Sequence, residues 1–233
     1  MQYWWHNGVD QGLNTDIRVP PNNNPVTDVT STDLTCNVNG RSGTGVSIGT
    51  VNAGDTITLE WHQHAQRTGE DAISAGHKGP VQVYMAKAPT TASAFDGSGT
   101  VWTKVYSQGL INSTTWATDV VNANNGKHSF VIPKSIPSGN YLIRGFLFYF
   151  FQYDVLDSDG LGGEIIALHV ASTYPGAQFY IGCLQVTVAG GGSANPPTIA
   201  LPGAYKPTDP GITINIYNNL QSYTAPGGSV WSG

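Results

Sequence analysis

Short runs rich in Val, Thr, Tyr and Ile alternate with clusters of Gly, Asn and Pro along this chain, and no helical period longer than two turns is apparent. β-Branched and aromatic residues favour strands, whereas Gly, Asn and Pro favour the turns between them. The pattern therefore predicts an all-β antiparallel sandwich with long loops. The predicted strands are 46–51, 56–62, 81–86, 128–132, 141–144, 164–169 and 177–188.

Length and charge limit the number of domains and the kinds of molecule that this protein can bind. A chain of 233 residues with 29 glycines and 14 prolines fits one large β domain, and we expect a single monomeric domain over residues 1–233. The net charge of −5 without long runs of either sign argues against nucleic acid, which needs clustered Lys and Arg. Many amides and aromatics suit a neutral carbohydrate, and we expect no membrane partner.

The carboxyl-terminal part offers no second domain. Residues 190–197, Gly-Gly-Gly-Ser-Ala-Asn-Pro-Pro, are typical of a linker, and the tail after them is too short for a domain. We therefore predict no separate carbohydrate-binding module.

Side chains typical of a metal site occur in distant segments. Residues 76–80, Gly-His-Lys-Gly-Pro, place His77 just before a strand-like run. Gln178 and Tyr180 alternate on a predicted strand and so point the same way, while His169 ends another strand-like segment. If they converge, imidazole, phenol and amide groups would form a nitrogen-rich metal site with an oxygen ligand and a polar outer shell.

Further segments along nearly the whole chain resemble, in the same order, the sequences of a known family. They include Asn-Gly-Val-Asp-Gln-Gly near the start, and they lie at 7–12, 19–29, 33–37, 53–56, 202–211 and 222–227. Together with the segments around His77 and Tyr180, they resemble the fungal lytic polysaccharide monooxygenases of auxiliary-activity family nine, formerly glycoside hydrolase family sixty-one. The resemblance implies an immunoglobulin-like or fibronectin-III-like sandwich.

The resemblance also assigns roles to the metal-site candidates. His77 would be a copper ligand and Tyr180 the axial ligand, while His169 and Gln178 would hydrogen-bond oxygen species at the metal and pass protons. His77 could instead be a loop histidine, and Tyr180 a core aromatic. His169 could be a strand histidine, and Gln178 an ordinary sheet amide. Tyr180 could be both an axial ligand and part of the core.

One ligand of the family site is missing from this sequence. Family members begin with a histidine that gives both its terminal amine and its ring to copper, whereas this chain begins with Met1. His6 does not substitute, because its backbone nitrogen is an amide. We therefore expect a truncated start, without a visible signal peptide, of an extracellular enzyme. The alternatives are a metal-free polysaccharide-binding sandwich and an inactive fragment.

The implied reaction is oxidative cleavage of glycosidic bonds in cellulose or a related β-1,4-glucan. It would use one copper ion, an external electron donor, and O2 or H2O2. Tyr223 resembles the family's tyrosine that stacks on glucose rings, although a structural aromatic is an equal alternative. No paired carboxylates typical of glycoside hydrolysis emerge around Glu60, Glu70 or Glu164.

The two cysteines and one N-glycosylation sequon bear on whether the protein is secreted. Cys36 and Cys183 are the only cysteines, and by themselves they could be buried thiols or a bridge. The resemblance implies a disulfide, which would stabilise the fold by roughly 5 kcal/mol and would indicate secretion. The sequon at Asn112 favours secretion as well.

Other features do not fit the resemblance. His62 and His64 would share one face of a strand, but a surface or structural role is favoured over zinc binding. His128 is predicted to be solvated. Residues 145–162 exceed the family pattern and include an aromatic-rich run. They are either a loop whose aromatics bind substrate or a translated intron.

Overall fold

The computed structural model describes residues 1–149 and 171–233. The predicted strand at 164–169 and most of the atypical segment 145–162 therefore lie outside the described residues. Within them, a short 3-10 helix spans Thr32–Leu34 and the helix α1 spans Ala117–Ala123. The strands are β1 (Tyr3–His6), β2 (Val9–Asp10), β3 (Ile17–Arg18), β4 (Gly49–Asn52), β5 (Thr56–Glu60), β6 (Val81–Lys87), β7 (Thr100–Gln108), β8 (Lys127–Val131), β9 (Gly139–Tyr149), β10 (Gln178–Ala189) and β11 (Ile199–Ala200).

The strands form two sheets, which confirms the predicted all-β sandwich. The smaller sheet has the order β2-β1-β5-β8, and the larger has the order β11-β7-β6-β9-β10-β3. Neighbouring strands in both orders run antiparallel. Strand β4 pairs with β10 in parallel.

Both faces of strands β6 and β10 in the larger sheet are buried, which explains why these two strands are largely apolar. Alternate residues of β6 point to opposite faces: Val83 and Met85 join the core between the sheets, while Tyr84 and Ala86 join a second core. Loops and the carboxyl-terminal segment contribute to this second core.

The prediction of a linker at 190–197 is wrong, because this segment packs on residues 135–138. Backbone N–H groups of Gly192 and Ala194 donate to carbonyls of Ile136 and Ser135, at 2.9 and 3.0 Å. A Cβ at Gly191 would lie 2.1 Å from the carbonyl oxygen of Ile136. The glycines therefore allow close backbone contact rather than flexibility, and the tail packs back on the sandwich.

The prediction that His62 and His64 share one face of a strand is wrong. Strand β5 ends at Glu60, so His62 and His64 do not share a strand face. Nε2 of His62 lies 2.6 Å from Oε1 of Glu60, and Nε2 of His64 lies 2.9 Å from Oε2 of Glu70. Each ring therefore pairs with a different carboxylate, in line with a structural role.

His128 is not solvated as predicted, because it packs on an aromatic ring. The centroids of the His128 and Tyr106 rings are 4.2 Å apart. Nε2 of His128 is buried and has no hydrogen-bond partner among the described residues. Burial lowers the pKa of His128 from 6.5 to about 4. The ring is therefore neutral near neutral pH.

Long-range links complete the fold. Cys36 and Cys183 form the expected disulfide, both fully buried and 147 residues apart in sequence.

Residues 145–149, at the start of the atypical segment, continue strand β9 instead of opening a loop. In the part of the chain that the structure describes, no helix has the length and hydrophobicity needed to cross a bilayer.

Candidate metal centre

The register of three strands brings the two predicted ligand segments together. In β9, residue 147 pairs with Val81 of β6 on one side and with Tyr180 of β10 on the other. Because neighbouring strands lie about 5 Å apart, Val81 and Tyr180 are separated by about 10 Å. His77 precedes Val81 by one loop, so it can reach Tyr180 across this row.

The His77 ring is held neutral and oriented by its own loop. The backbone N–H of His77 donates to the carbonyl of Ser74 at 2.9 Å, and Nδ1 lies 3.3 Å from the same oxygen. The side chain is buried, and this burial lowers the pKa of His77 to about 4. With Nδ1–H donating to Ser74, the lone pair is on Nε2, which is the form that a metal ligand requires.

Tyr180 and Gln178 stand beside this ring, as the alternation on the strand predicts. The His77 and Tyr180 ring centroids are 5.9 Å apart with an interplanar angle of 78°. The Tyr180 hydroxyl donates to Oε1 of Gln178 at 3.3 Å, and Gln178 is buried. Burial raises the pKa of Tyr180 to about 12, so the phenol stays neutral.

Two other predicted site residues, Tyr223 and Asn112, make contacts with other parts of the chain. His169 is outside the described residues. Tyr223 is half-buried: its hydroxyl donates to the carbonyl of Gly211 at 2.8 Å, and its ring meets Trp116 edge-on at 5.1 Å. Asn112 is exposed in a turn where its Oδ1 accepts from the Thr115 N–H at 2.9 Å.

A cleft of about 320 Å³ adjoins Tyr180, and the prediction of site residues missed it. Amide side chains of Gln2, Gln63 and Asn22–Asn24 contribute to its lining. The run of three asparagines after two prolines is the only sequence signal that could have indicated this cleft. Amide groups both donate and accept hydrogen bonds, so the lining suits a neutral polar partner.

The donors at this centre fit copper. Imidazole nitrogen is a preferred copper ligand, and the phenol of Tyr180 next to the His77 ring offers an oxygen. Within residues 1–149 and 171–233, no group of three or more His, Cys, Asp or Glu side chains could hold a metal ion by itself. His77 and Tyr180 would therefore supply part of the coordination sphere.

Comparison with known proteins decides the family. The sequence profile described as Auxiliary Activity family 9, formerly GH61, matches residues 1–147 and 161–224. The chain belongs to this family. The resemblance deduced from the sequence is thereby confirmed, and residues 148–160 are left unmatched inside the atypical segment.

Individual members of family 9 support this assignment. An AA9 family lytic polysaccharide monooxygenase A of Aspergillus kawachii is 46% identical over 239 residues, covering 100% of this chain and 52% of the relative. A family 9 monooxygenase of Trametes coccinea is 46% identical, covering 97% of this chain and 76% of the relative. The chain spans about half the length of the curated Aspergillus kawachii and Aspergillus niger relatives that it matches.

Solved structures of the family share the fold. The structure titled CvAA9A has a TM-score of 0.83 and 33% sequence identity, covering 99% of this chain and 96% of that one. The crystal structure of HiLPMO9B has a TM-score of 0.79 and 30% identity, covering 100% of this chain and 98% of that one. The immunoglobulin-like sandwich predicted from the sequence is therefore confirmed for this family 9 chain.

Proposed function

We propose that this family 9 chain is the catalytic domain of a copper-dependent monooxygenase that cleaves glycosidic bonds of cellulose or a related β-1,4-glucan. The observation that carries the proposal is the pair of His77 and Tyr180, whose rings lie 5.9 Å apart in a member of a monooxygenase family. Burial keeps the His77 ring neutral, which is the form in which an imidazole binds a metal.

Each residue at the centre would have a distinct task. Nε2 of His77 would hold the metal while the Ser74 carbonyl fixes the ring through Nδ1. The Tyr180 hydroxyl would supply an oxygen ligand beside His77. Gln178, which accepts from that hydroxyl, would orient it and would also donate a hydrogen bond toward the reacting oxygen, with His169 as a second proton-handling group.

Copper bound here would supply the one-electron and oxygen chemistry, using an external electron donor and O2 or H2O2. The protein would dock the polysaccharide on a surface of few charges. Tyr223 would stack on a sugar ring through the exposed part of its half-buried side chain. We infer further that the domain is a secreted monomer that carries a glycan at Asn112.

Copper titration of purified protein tests the metal centre. We expect binding of one copper ion at a nitrogen-containing site, seen by calorimetry and electron paramagnetic resonance, and its loss in His77→Ala. The matched control is His64→Ala, which removes an exposed imidazole that lines the cleft beside Tyr180. Copper binding that survives His77→Ala but not His64→Ala would contradict the proposed centre.

Product analysis tests the reaction. Copper-loaded protein, cellulose, a reductant and O2 or H2O2 should release oxidised oligosaccharides that mass spectrometry detects. The same protein should release none without reductant. Adsorption to cellulose without copper binding would instead favour the alternative of a metal-free polysaccharide-binding sandwich.

A further inference from the structure

The loop that carries His77 is attached at both of its ends to helix α1. At one end, the backbone N–H of Ile73 donates to Oδ1 of Asn122 at 3.0 Å. At the other end, the backbone N–H of Gly79 donates to Oγ1 of Thr118 at 3.1 Å. His77 lies between these two attachment points, and Ile73 and Gly79 are both buried.

The spacing of the two helix residues explains how one short helix reaches both ends. Thr118 and Asn122 are four positions apart in α1, so their side chains lie on the same helix face, one turn from each other. Thr118 makes a reciprocal contact, since its own backbone N–H donates to the carbonyl of Gly79 at 3.3 Å. Thr118 is only 1% exposed, so water does not compete for its hydroxyl.

A second pair of groups supports this attachment weakly. Lys78 Nζ pairs with the carboxylate of Asp119, which also accepts from the backbone N–H of Trp116 at the start of the helix. Both side chains of the Lys78–Asp119 pair are partly exposed, so the ion pair contributes little to stability. The buried neutral bonds of Thr118 therefore matter more than the ion pair.

We propose that Thr118 and Asn122 are positioning residues for His77. They hold the two ends of residues 73–79, and this fixes the carbonyl of Ser74 that orients the His77 ring. The proposal rests on the proposed function only in taking the His77 ring as the part of the loop that must be placed accurately. A ligand side chain needs its supporting groups to hold it within about 0.5 Å and 10–20° of the binding geometry.

The central test replaces Thr118 by valine, which keeps the shape of the side chain and removes the acceptor for the Gly79 N–H. Thr118→Ser restores the hydroxyl and should restore wild-type behaviour. The matched control is Thr35→Val, because Thr35 is also 1% exposed and its hydroxyl donates to the carbonyl of Leu201 at 3.0 Å. The control thus loses a similar buried bond elsewhere in the fold.

Two measurements on the metal-free protein read out the position of the loop. We expect the Gly79 amide of Thr118→Val to exchange with solvent at least about tenfold faster than in wild type. We also expect nitrogen NMR at one fixed neutral pH to show a lower share of the Nδ1–H tautomer of His77. Thr35→Val should lower the melting temperature comparably without either change, and Asn122→Ala should affect the Ile73 amide.

Copper titration then measures how the change in the loop affects copper affinity. Loss of a group that supports a ligand typically costs 10–100-fold in metal affinity, so Thr118→Val should bind copper at least about tenfold more weakly. Unchanged Gly79 exchange and His77 tautomers in Thr118→Val would overturn the positioning role, as would equal changes in Thr35→Val. If wild type binds no copper, the metal proposal fails, while the two metal-free measurements still decide the positioning role.

Discussion

The buried ring of His128 should make the domain lose stability in mild acid. In the folded protein burial lowers the pKa of His128 from 6.5 to about 4, and Nε2 has no hydrogen-bond partner among the described residues. Between these two pH values the unfolded chain binds the proton and the folded chain does not. The contribution is therefore fully present above pH 6.5 and is lost as the pH falls toward 4.

The size of this loss follows from the same pKa values. A shift of one pKa unit corresponds to about 1.4 kcal/mol, so the full shift from 6.5 to about 4 gives an upper limit of about 3.5 kcal/mol. At pH 4.5 the linkage relation gives a loss of about 2.5 kcal/mol relative to pH 7.5. His77, whose pKa burial also lowers to about 4, would add a similar loss, whereas Asp55 and Glu60, whose pKa values are lowered to about 2, lose their contributions mainly below this window.

Denaturant unfolding from pH 7.5 to 4.5 measures the effect. His128→Phe keeps an aromatic ring against Tyr106 and removes the titrating group, so its stability should fall by about 2.5 kcal/mol less than that of wild type over this range. The exposed His64 supplies the control variant His64→Gln, which should follow wild type. Parallel pH profiles for wild type and His128→Phe would show that His128 is not the acid-sensitive group.

Two further predictions concern the framework of the fold. Replacing Cys36 and Cys183 together by alanine should lower the free energy of unfolding by about 5 kcal/mol, because a bridge across 147 residues strongly restricts the unfolded chain. Guanidinium unfolding measures this free energy, and a loss below about 2 kcal/mol would contradict the prediction. Gly191→Ala should lower the free energy of unfolding by about 1–3 kcal/mol, because the new Cβ would lie 2.1 Å from a backbone carbonyl oxygen. Gly69→Ala is the control, because a Cβ there meets open space. Equal melting temperatures for the two variants would refute this reasoning.

The fold class was predictable from the sequence because strand and turn residues alternate along the chain. Strand β10 was predicted almost to its ends, since its apolar residues continue on both faces. Strand β7 was missed, because Lys104 lies in its middle although it is buried and its Nζ donates to the carbonyl of Pro226 at 2.7 Å. A charged residue that is satisfied by a distant carbonyl gives no local sign of its burial.

The centre was predictable only in part for a similar reason. The period of two in a strand places Gln178 beside Tyr180 without any knowledge of the rest of the molecule. The attachment of the His77 loop to Thr118 and Asn122 is invisible in the sequence, because α1 covers only Ala117–Ala123 and has no long helical pattern. Contacts between a short helix and a distant loop depend on the packing of the whole domain.

The register between β9 and β10 connects the core to the chemistry. Phe179 and Ile181 point into the second core and are at most 1% exposed, while Tyr180 between them points to the His77 side. A slip of one residue would move Phe179 to the His77 side and would expose Tyr180 to the apolar second core. Fully burying a side chain like Phe179 is worth about 1.5–3 kcal/mol, so such a slip would cost several kcal/mol. The packing on the face opposite the centre therefore holds the Tyr180 phenol where a metal bound to His77 would meet it.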